Sequence, residues 1–234
     1  MFLLALGLHL LTALTPVGAA SKLPAAPPKV IGSVSTTEKK IAFTFDDGPN
    51  VQYTPQFIAL LRKYDAHATF FLLGLHAQEN PQIIRRLRAA GMEIGNHGMR
   101  HRYLRADNAQ AAISEVRDGE QAILKSGVPR PSLYRLPGGI GGPRVRLAVT
   151  ALGYRLVGWS VDPRDSMGAS TARIVAAVRQ GIAPGAIVLM HDGPPNAERE
   201  RTLAALRQLL PELKAQGYQI CSVGELLKSA RTGS

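Results

Sequence analysis

Short apolar runs alternate with amphipathic helical patterns along most of this chain. We predict strands over residues 41–45, 68–73, 92–95, 133–135, 154–159, 186–190 and 218–221. We predict helices over residues 55–64, 81–90, 108–125, 144–152, 171–181, 198–216 and 223–230. Pro81 suits a first helical turn, and Ser222 with Glu225 forms a capping box. The alternation, repeated about seven times, predicts one α/β domain with a parallel sheet, either doubly wound or closed into a (β/α) barrel.

Polar and charged residues follow five of the predicted strands. They are Asp46-Asp47, Asn96-His97, Arg135, Asp162 with Asp165, and His191-Asp192. Both α/β architectures place functional residues at the carboxyl ends of the strands. Taken singly, each position has a plain structural explanation, such as a turn, a buried histidine or a surface arginine. Their recurrence at the same end of successive strands favours one functional site, because ordinary loops would scatter charge over both ends.

Two neighbouring carboxylates and two histidines offer a metal-binding donor set. Consecutive side chains on a strand point to opposite sides, so we expect Asp46 and Asp47 to have different roles. His97 and His101 are spaced so that both imidazoles can close on one ion. With Asp47 they form a set of two histidines and one carboxylate, which leaves open positions on a catalytic zinc. The same donors also build non-haem iron sites, so the donor types alone leave the metal open.

The first residues of the chain predict export. Met1 to Ala20 contains no Lys, Arg, Asp or Glu and ends in small residues. We predict a signal peptide over residues 1–20, cleaved after Ala20 or after Ala19, and a secreted or periplasmic protein. An uncleaved membrane anchor is the alternative. Residues 21–38 contain several prolines and are predicted to be a flexible tether, residues 39–228 the domain, and residues 229–234 a tail.

Charge and cysteine content narrow the function classes. The chain has 28 Lys and Arg against 17 Asp and Glu, a net charge of +11 with histidine neutral. Its single cysteine excludes an internal disulfide framework and a thiolate metal cluster, and we predict that Cys221 is a small buried residue. A basic cluster contains Arg100, Arg102 and Arg105 but only one aromatic residue, Tyr103. It therefore lacks the row of aromatic side chains on which single-stranded nucleic acids stack. We therefore expect no nucleic-acid partner, and association with an anionic cell envelope instead.

Five motifs together resemble one enzyme family. They are Thr44-Phe45-Asp46-Asp47-Gly48, His97-x-x-x-His101, Arg135-x-Pro137, Asp162-x-x-Asp165 and Leu189-x-His191. In this order they resemble the polysaccharide deacetylases, the NodB-like carbohydrate esterase family 4, which includes chitin and peptidoglycan deacetylases. The resemblance covers about residues 39 to 228. It implies a distorted (β/α) barrel of about seven parallel strands in a single domain.

The resemblance also implies a role for each motif residue. Asp46 would be the general base, and Asp47, His97 and His101 would bind one divalent ion, zinc, with cobalt or another divalent ion as alternatives. Arg135 would hold Asp46, and His191 would be the general acid, tuned by Asp165. Asp192 is adjacent to His191 in sequence but ranks second as its partner, because neighbouring side chains on an extended segment diverge. Gly138 would lie at the backbone N–H that meets the oxyanion, and Leu189 would line the substrate site.

Three positions depart from the usual family pattern. Gly98 stands where Ser or Thr is common in the loop that carries His97 and His101, which we call the metal loop. A hydrogen bond that steadies this loop should therefore be missing. Gly138 and Ser166 replace aromatic residues that usually wall the groove. We therefore expect intact chemistry with a wider, flatter groove in which sugar stacking contributes less.

The resulting expectation is a metal-dependent hydrolase that removes N-acetyl groups from amino sugars in an acetylated glycan of the peptidoglycan or chito-oligosaccharide type. An O-acetyl esterase and an amidase for small amides are the alternatives among enzymes. A catalytically silent glycan-binding module is the alternative from another class. Retention of both Asp46 and His191 disfavours the silent module, because binding alone needs neither a base nor an acid. The sequence leaves the oligomeric state open.

Overall fold

A computed structural model describes residues 28–230 of the 234-residue chain. The strands are β1 (Lys40–Asp46), β2 (Thr69–Leu72), β3 (Glu93–Asn96), β4 (Leu133–Tyr134), β5 (Arg155–Leu156), β6 (Ile187–His191) and β7 (Gln219–Cys221). The helices are α1 (Thr54–Lys63), α2 (Gly74–Glu79), α3 (Pro81–Ala89), α4 (Ala109–Leu124), α5 (Pro143–Ala151), α6 (Thr171–Gly181), α7 (Glu200–Ala215) and α8 (Val223–Lys228). Short 3₁₀ turns span Pro137–Gly139 and Asp165–Met167.

The strands form a curled parallel sheet, so the predicted distorted (β/α) barrel in a single domain is confirmed. Its order is β5-β4-β3-β2-β1-β6, and β7 pairs with the start of β1. β1 also pairs with two other neighbours, Thr44–Asp46 with β2 and Ala42–Asp46 with β6. The segment after β5 returns to β6 through a bridge between Val161 and Val188, which brings the two ends of the sheet together. All carboxyl ends of the strands therefore open at one rim.

Alternation along β1 separates the helix-packed core from the barrel interior. Phe43 and Phe45 belong to the core under the surrounding helices, and Phe45 stacks on Phe70 at 4.8 Å between ring centroids. Ala42 belongs instead to the interior cluster with Phe71. Because the strand period is two, Thr44 and Asp46 share the side of Ala42 and point into the barrel.

The structure adds one helix that was not predicted, shows contacts within the predicted tether, and buries Cys221. Helix α2 was not predicted, because its six residues are too few to show a helical period. Within the predicted tether, Ile31 and Val34 contact the domain. Ile31 donates its N–H to Leu156 O, Gly158 donates to Ile31 O, and Val34 is buried. Cys221 is buried, as predicted.

The predicted signal peptide, the start of the tether and most of the tail lie outside the described residues. Among residues 28–230, no helix is both long enough and apolar enough to cross a membrane.

Candidate active site

Asp46 and Arg135 form a buried ion pair at the top of the barrel interior. Asp46 ends β1 at 4% exposure, and its Oδ1 accepts a 2.8 Å hydrogen bond from Arg135 Nη1. Nη1 also donates to Thr44 Oγ1 and Nη2 donates to Gly158 O, while the guanidinium lies 4.3 Å from the Phe71 ring centroid. Burial lowers the pKa of Arg135 and Asp46 opposes that change, so the guanidinium stays charged. The pair fixes the orientation of the Asp46 carboxylate.

Asp47 does not diverge from Asp46 as strand alternation predicted. Its backbone turns into the left-handed region, with φ of 71°, directly after β1 ends. Its Oδ1 then lies 3.5 Å from His97 Nε2, and Asp46 Oδ2 lies 3.7 Å from the same nitrogen. The period-two rule fails here because Asp47 is no longer part of the strand. Both carboxylates therefore face one space.

His97 is held in the form that binds metals. It follows β3 at 1% exposure, and its Nδ1 is 2.8 Å from the carbonyl oxygen of Arg135. A carbonyl can only accept, so Nδ1 carries the proton and Nε2 keeps its lone pair for a ligand. Burial lowers the pKa of His97 more than the nearby Asp46 and Asp47 raise it, which favours the neutral imidazole.

Asp47, His97 and His101 form a site that fits one metal ion. One ligand atom from each residue lies within 4.8 Å of the other two, and Asp47 Oδ1 is 3.4 Å from His101 Nε2. Asp47 Oδ1 is buried and has no hydrogen-bond partner among the described residues. An unpaired buried carboxylate oxygen is costly, and a cation between the three donors would satisfy it. The residues therefore fit the ion that the resemblance implies.

His191 and Asp165 meet on the other side of Asp46. His191 ends β6 in register with Asp46, and its Nδ1 is 2.7 Å from Asp165 Oδ1. Asp165 Oδ2 also accepts from His191 N and from Thr202 Oγ1. Burial lowers the pKa of His191, but the hydrogen bond and charge of Asp165 outweigh it, so the pKa is raised. Burial raises the pKa of Asp165, but bonding to His191 lowers it overall. The imidazolium form is thus favoured.

The remaining motif residues differ in their burial and in their contacts. Asp162 is exposed and its carboxylate accepts from Arg164 N within its own turn, so it is not part of the site. Leu189 is buried in β6, two residues before His191 and on the same side of the strand. Gly138 lies in the 3₁₀ turn after β4 with φ of 60°, and Ser166 is exposed beside Asp165.

The metal loop has an anchor that the sequence did not reveal. Glu115 on α4 is buried, and its Oε2 accepts from the N–H groups of Met99 and Arg100 at 2.9 Å each. A Cβ on Gly98 would lie 3.2 Å from the same Glu115 oxygen. Glu115 therefore supports the loop where a side chain at residue 98 was expected to do so. In the sequence, the only available signal for Glu115 is a carboxylate among the apolar residues that form the core-facing side of a predicted helix.

A second layer of buried polar groups supports the loops around Asp47. Asp192 lies under Gly48 and accepts from Thr54 Oγ1, and burial raises its pKa to about 7. It does not contact His191 through a hydrogen bond, so Asp165 and not Asp192 is the partner of that imidazole. Asn50 donates to Pro194 O and joins the loops after β1 and β6. Sequence reasoning missed both supporting roles.

A model of the polysaccharide deacetylase family matches residues 33–157 of the chain. A peptidoglycan-N-acetylglucosamine deacetylase from Bacillus cereus is 42% identical over 201 residues, which are 85% of this chain and 93% of that protein. A chitooligosaccharide deacetylase from Sinorhizobium fredii is 37% identical over 198 residues, 80% of this chain and 92% of that protein.

Solved structures agree with this assignment. A CE4 family pseudoenzyme from Bacillus anthracis superimposes with a TM-score of 0.79 at 26% identity, over 88% of this chain and 71% of that one. This relative is described as a pseudoenzyme, so membership of the family does not by itself establish activity, and the individual site residues must be considered. By sequence, motif order and fold, the chain belongs to the polysaccharide deacetylase family.

Proposed function

We propose that this protein removes N-acetyl groups from amino sugars in an acetylated glycan of the peptidoglycan or chito-oligosaccharide type. The two similar proteins named above act on such glycans, and both are covered over most of their length. One divalent ion, zinc, would be held by Asp47, His97 and His101. When bound, this ion would supply Lewis-acid polarisation of the acetamide carbonyl.

One observation carries the proposal: a base and an acid flank the metal-binding residues. Asp46 is bound to Arg135 and stays free to accept the proton of the attacking water. His191, its neighbour across the β1–β6 register, is bound at Nδ1 by Asp165 and presents Nε2 as a donor. Water adds to the carbonyl carbon, the C–N bond breaks, and the departing nitrogen takes the proton from Nε2. Acetate and a free amine are the products.

A backbone N–H group would stabilise the oxyanion that forms during this attack, in addition to the divalent ion. Gly138 lies in the 3₁₀ turn after β4, next to Tyr103, and its backbone N–H is the donor in our proposal. A glycine serves this role as well as any residue, because the donor belongs to the main chain.

Acetate release tests the proposal directly. The zinc-loaded protein should release acetate from N-acetylated chito-oligosaccharides or from peptidoglycan, and Asp46→Asn should lose most of that activity. Release from O-acetylated xylan alone would instead indicate an esterase. Binding to the glycans without acetate release from any of them would indicate a silent module. Either of these results would reject the proposed reaction.

A further inference from the structure

Tyr103 places an exposed aromatic ring beside a predicted metal ligand. It is 50% exposed, and it is the only aromatic among the large hydrophobic residues that residues 28–230 leave exposed. Its ring meets the ring of His101 edge to face, with 5.2 Å between the centroids. The exposed face of the ring is therefore open to an apolar face of a ligand. Its position at the reaction centre indicates which ligand that is.

The ring also fills the space that a side chain at residue 138 would need. A Cβ built on Gly138 would lie 2.6 Å from Cε1 of Tyr103, which is closer than real contacts allow. Gly138 has φ of 60°, a conformation that disfavours other residues. An aromatic ring therefore lies beside Gly138, where the sequence predicted a groove without one. The wall comes from the loop after His101 instead.

The loop that carries Tyr103 is anchored directly after the ring. The next residue, Leu104, is buried and forms a bridge with Gly141. Further along, the Asp107 carboxylate accepts from Val145 N at 2.9 Å in the first turn of α5. Little conformational freedom of the backbone is left to lose when a ligand covers the ring, which favours binding.

Charge on the same loop suits a polar ligand. The Arg105 guanidinium lies over the Tyr103 ring, 5.4 Å from its centroid. A sugar ring combines an apolar C–H face with hydroxyl groups at its edge. The aromatic face attracts the C–H groups, and the guanidinium can donate to the hydroxyls.

We propose that Tyr103 is a specificity-determining residue, the platform on which the glycan stacks the pyranose ring next to the reacting amino sugar. This inference rests on the proposed function for the identity of the ligand. It predicts that longer oligosaccharides gain affinity from Tyr103, whereas a small acetyl ester that reaches only the reaction centre gains nothing.

The experiment compares Tyr103→Ala and Tyr103→Phe in the zinc-loaded protein. For hexa-N-acetylchitohexaose, Tyr103→Ala should raise KM and the calorimetric Kd about tenfold, a change of about 1.4 kcal/mol, with kcat within about threefold of wild type. Tyr103→Phe keeps the ring and should stay within about twofold. Hydrolysis of p-nitrophenyl acetate should be unchanged in both variants.

A zinc titration separates stacking on the ring from support of the metal ligands. Zinc affinity, measured by competition with a chelating dye, should be equal in wild type and Tyr103→Ala.

Three results would overturn the inference. The first is an unchanged Kd for the hexasaccharide in Tyr103→Ala. The second is an equal loss in Tyr103→Phe, which would indicate a hydroxyl hydrogen bond. The third is weaker zinc binding in Tyr103→Ala, which would make the ring a support for His101. Calorimetry separates this inference from the proposed reaction, because a wild-type protein that binds the hexasaccharide but releases no acetate fails only the reaction.

Discussion

Replacing Arg135 by methionine tests whether a buried ion pair holds the Asp46 carboxylate. Arg135 is fully buried, and Asp46 lies 2.8 Å from its Nη1. Methionine keeps an apolar stem but leaves the Asp46 charge without a partner. Removing one partner of a buried pair costs about 3–5 kcal/mol. That is a large part of the roughly 5–15 kcal/mol by which a domain of this kind is stable.

The other contacts of Arg135 place the expected loss at the upper end of this range. Its Nη2 donates 2.8 Å to Gly158 O, and Nη1 also donates to Thr44 Oγ1. Gly158 O loses its donor in the variant, and an unpaired buried polar group carries its own cost of about 1–3 kcal/mol, whereas Thr44 Oγ1 keeps its hydrogen bond to Val188 O. We therefore expect Arg135→Met to lose about 4–5 kcal/mol in the free energy of unfolding.

Urea unfolding followed by circular dichroism measures this change, with EDTA present so that metal binding does not contribute. Arg179→Met is the matched control. Arg179 forms hydrogen bonds of 2.6–3.0 Å to Glu212, but its side chain is 53% exposed. Water and salt screen an exposed pair, so this control should change the free energy of unfolding little.

The Asp46→Asn/Arg135→Met double variant decides whether the ion pair is the cause. It has no uncompensated buried charge, so it should be more stable than Arg135→Met by at least about 2 kcal/mol. A single variant within about 1 kcal/mol of wild type, or a double variant no more stable than the single one, would refute the reasoning.

Three further predictions concern the site itself. Asp46→Asn should keep zinc and lose about 100- to 10,000-fold in kcat, whereas Asp47→Asn should lose zinc affinity in a dye titration; the reverse pattern would exchange their roles. Asp165 raises the pKa of His191, so the charged acid persists to higher pH and activity falls as pH rises through that pKa. Asp165→Asn should therefore shift the alkaline limb of the pH–kcat profile to lower pH, and an unmoved limb would contradict this. Glu115→Gln should weaken zinc binding about tenfold by loosening the metal loop, and unchanged affinity together with unchanged stability would remove its positioning role.

The sequence by itself determined the alternation of strands and helices and the end of the sheet that carries the chemistry. Apolar runs of strand length, separated by helical periods, have few packed solutions other than a parallel α/β sheet. The positions of Asp46, His97, Arg135 and His191 followed, because the carboxyl ends of parallel strands meet at one rim. The inward direction of Asp46 also follows from the period of β1.

Contacts between distant segments were decided only by the tertiary structure. Glu115 reaches Met99 N from a helix sixteen residues later, and Tyr103 fills the space beside Gly138. Neither contact has a local pattern, since the partners are joined by the packing of α4 and of the loops on the barrel. Asp47 faces His97 because its backbone leaves the strand, and a sequence period describes only residues that stay in one. Periodicity reports which face a residue shares within its own element, while the partner across the rim depends on how whole elements pack.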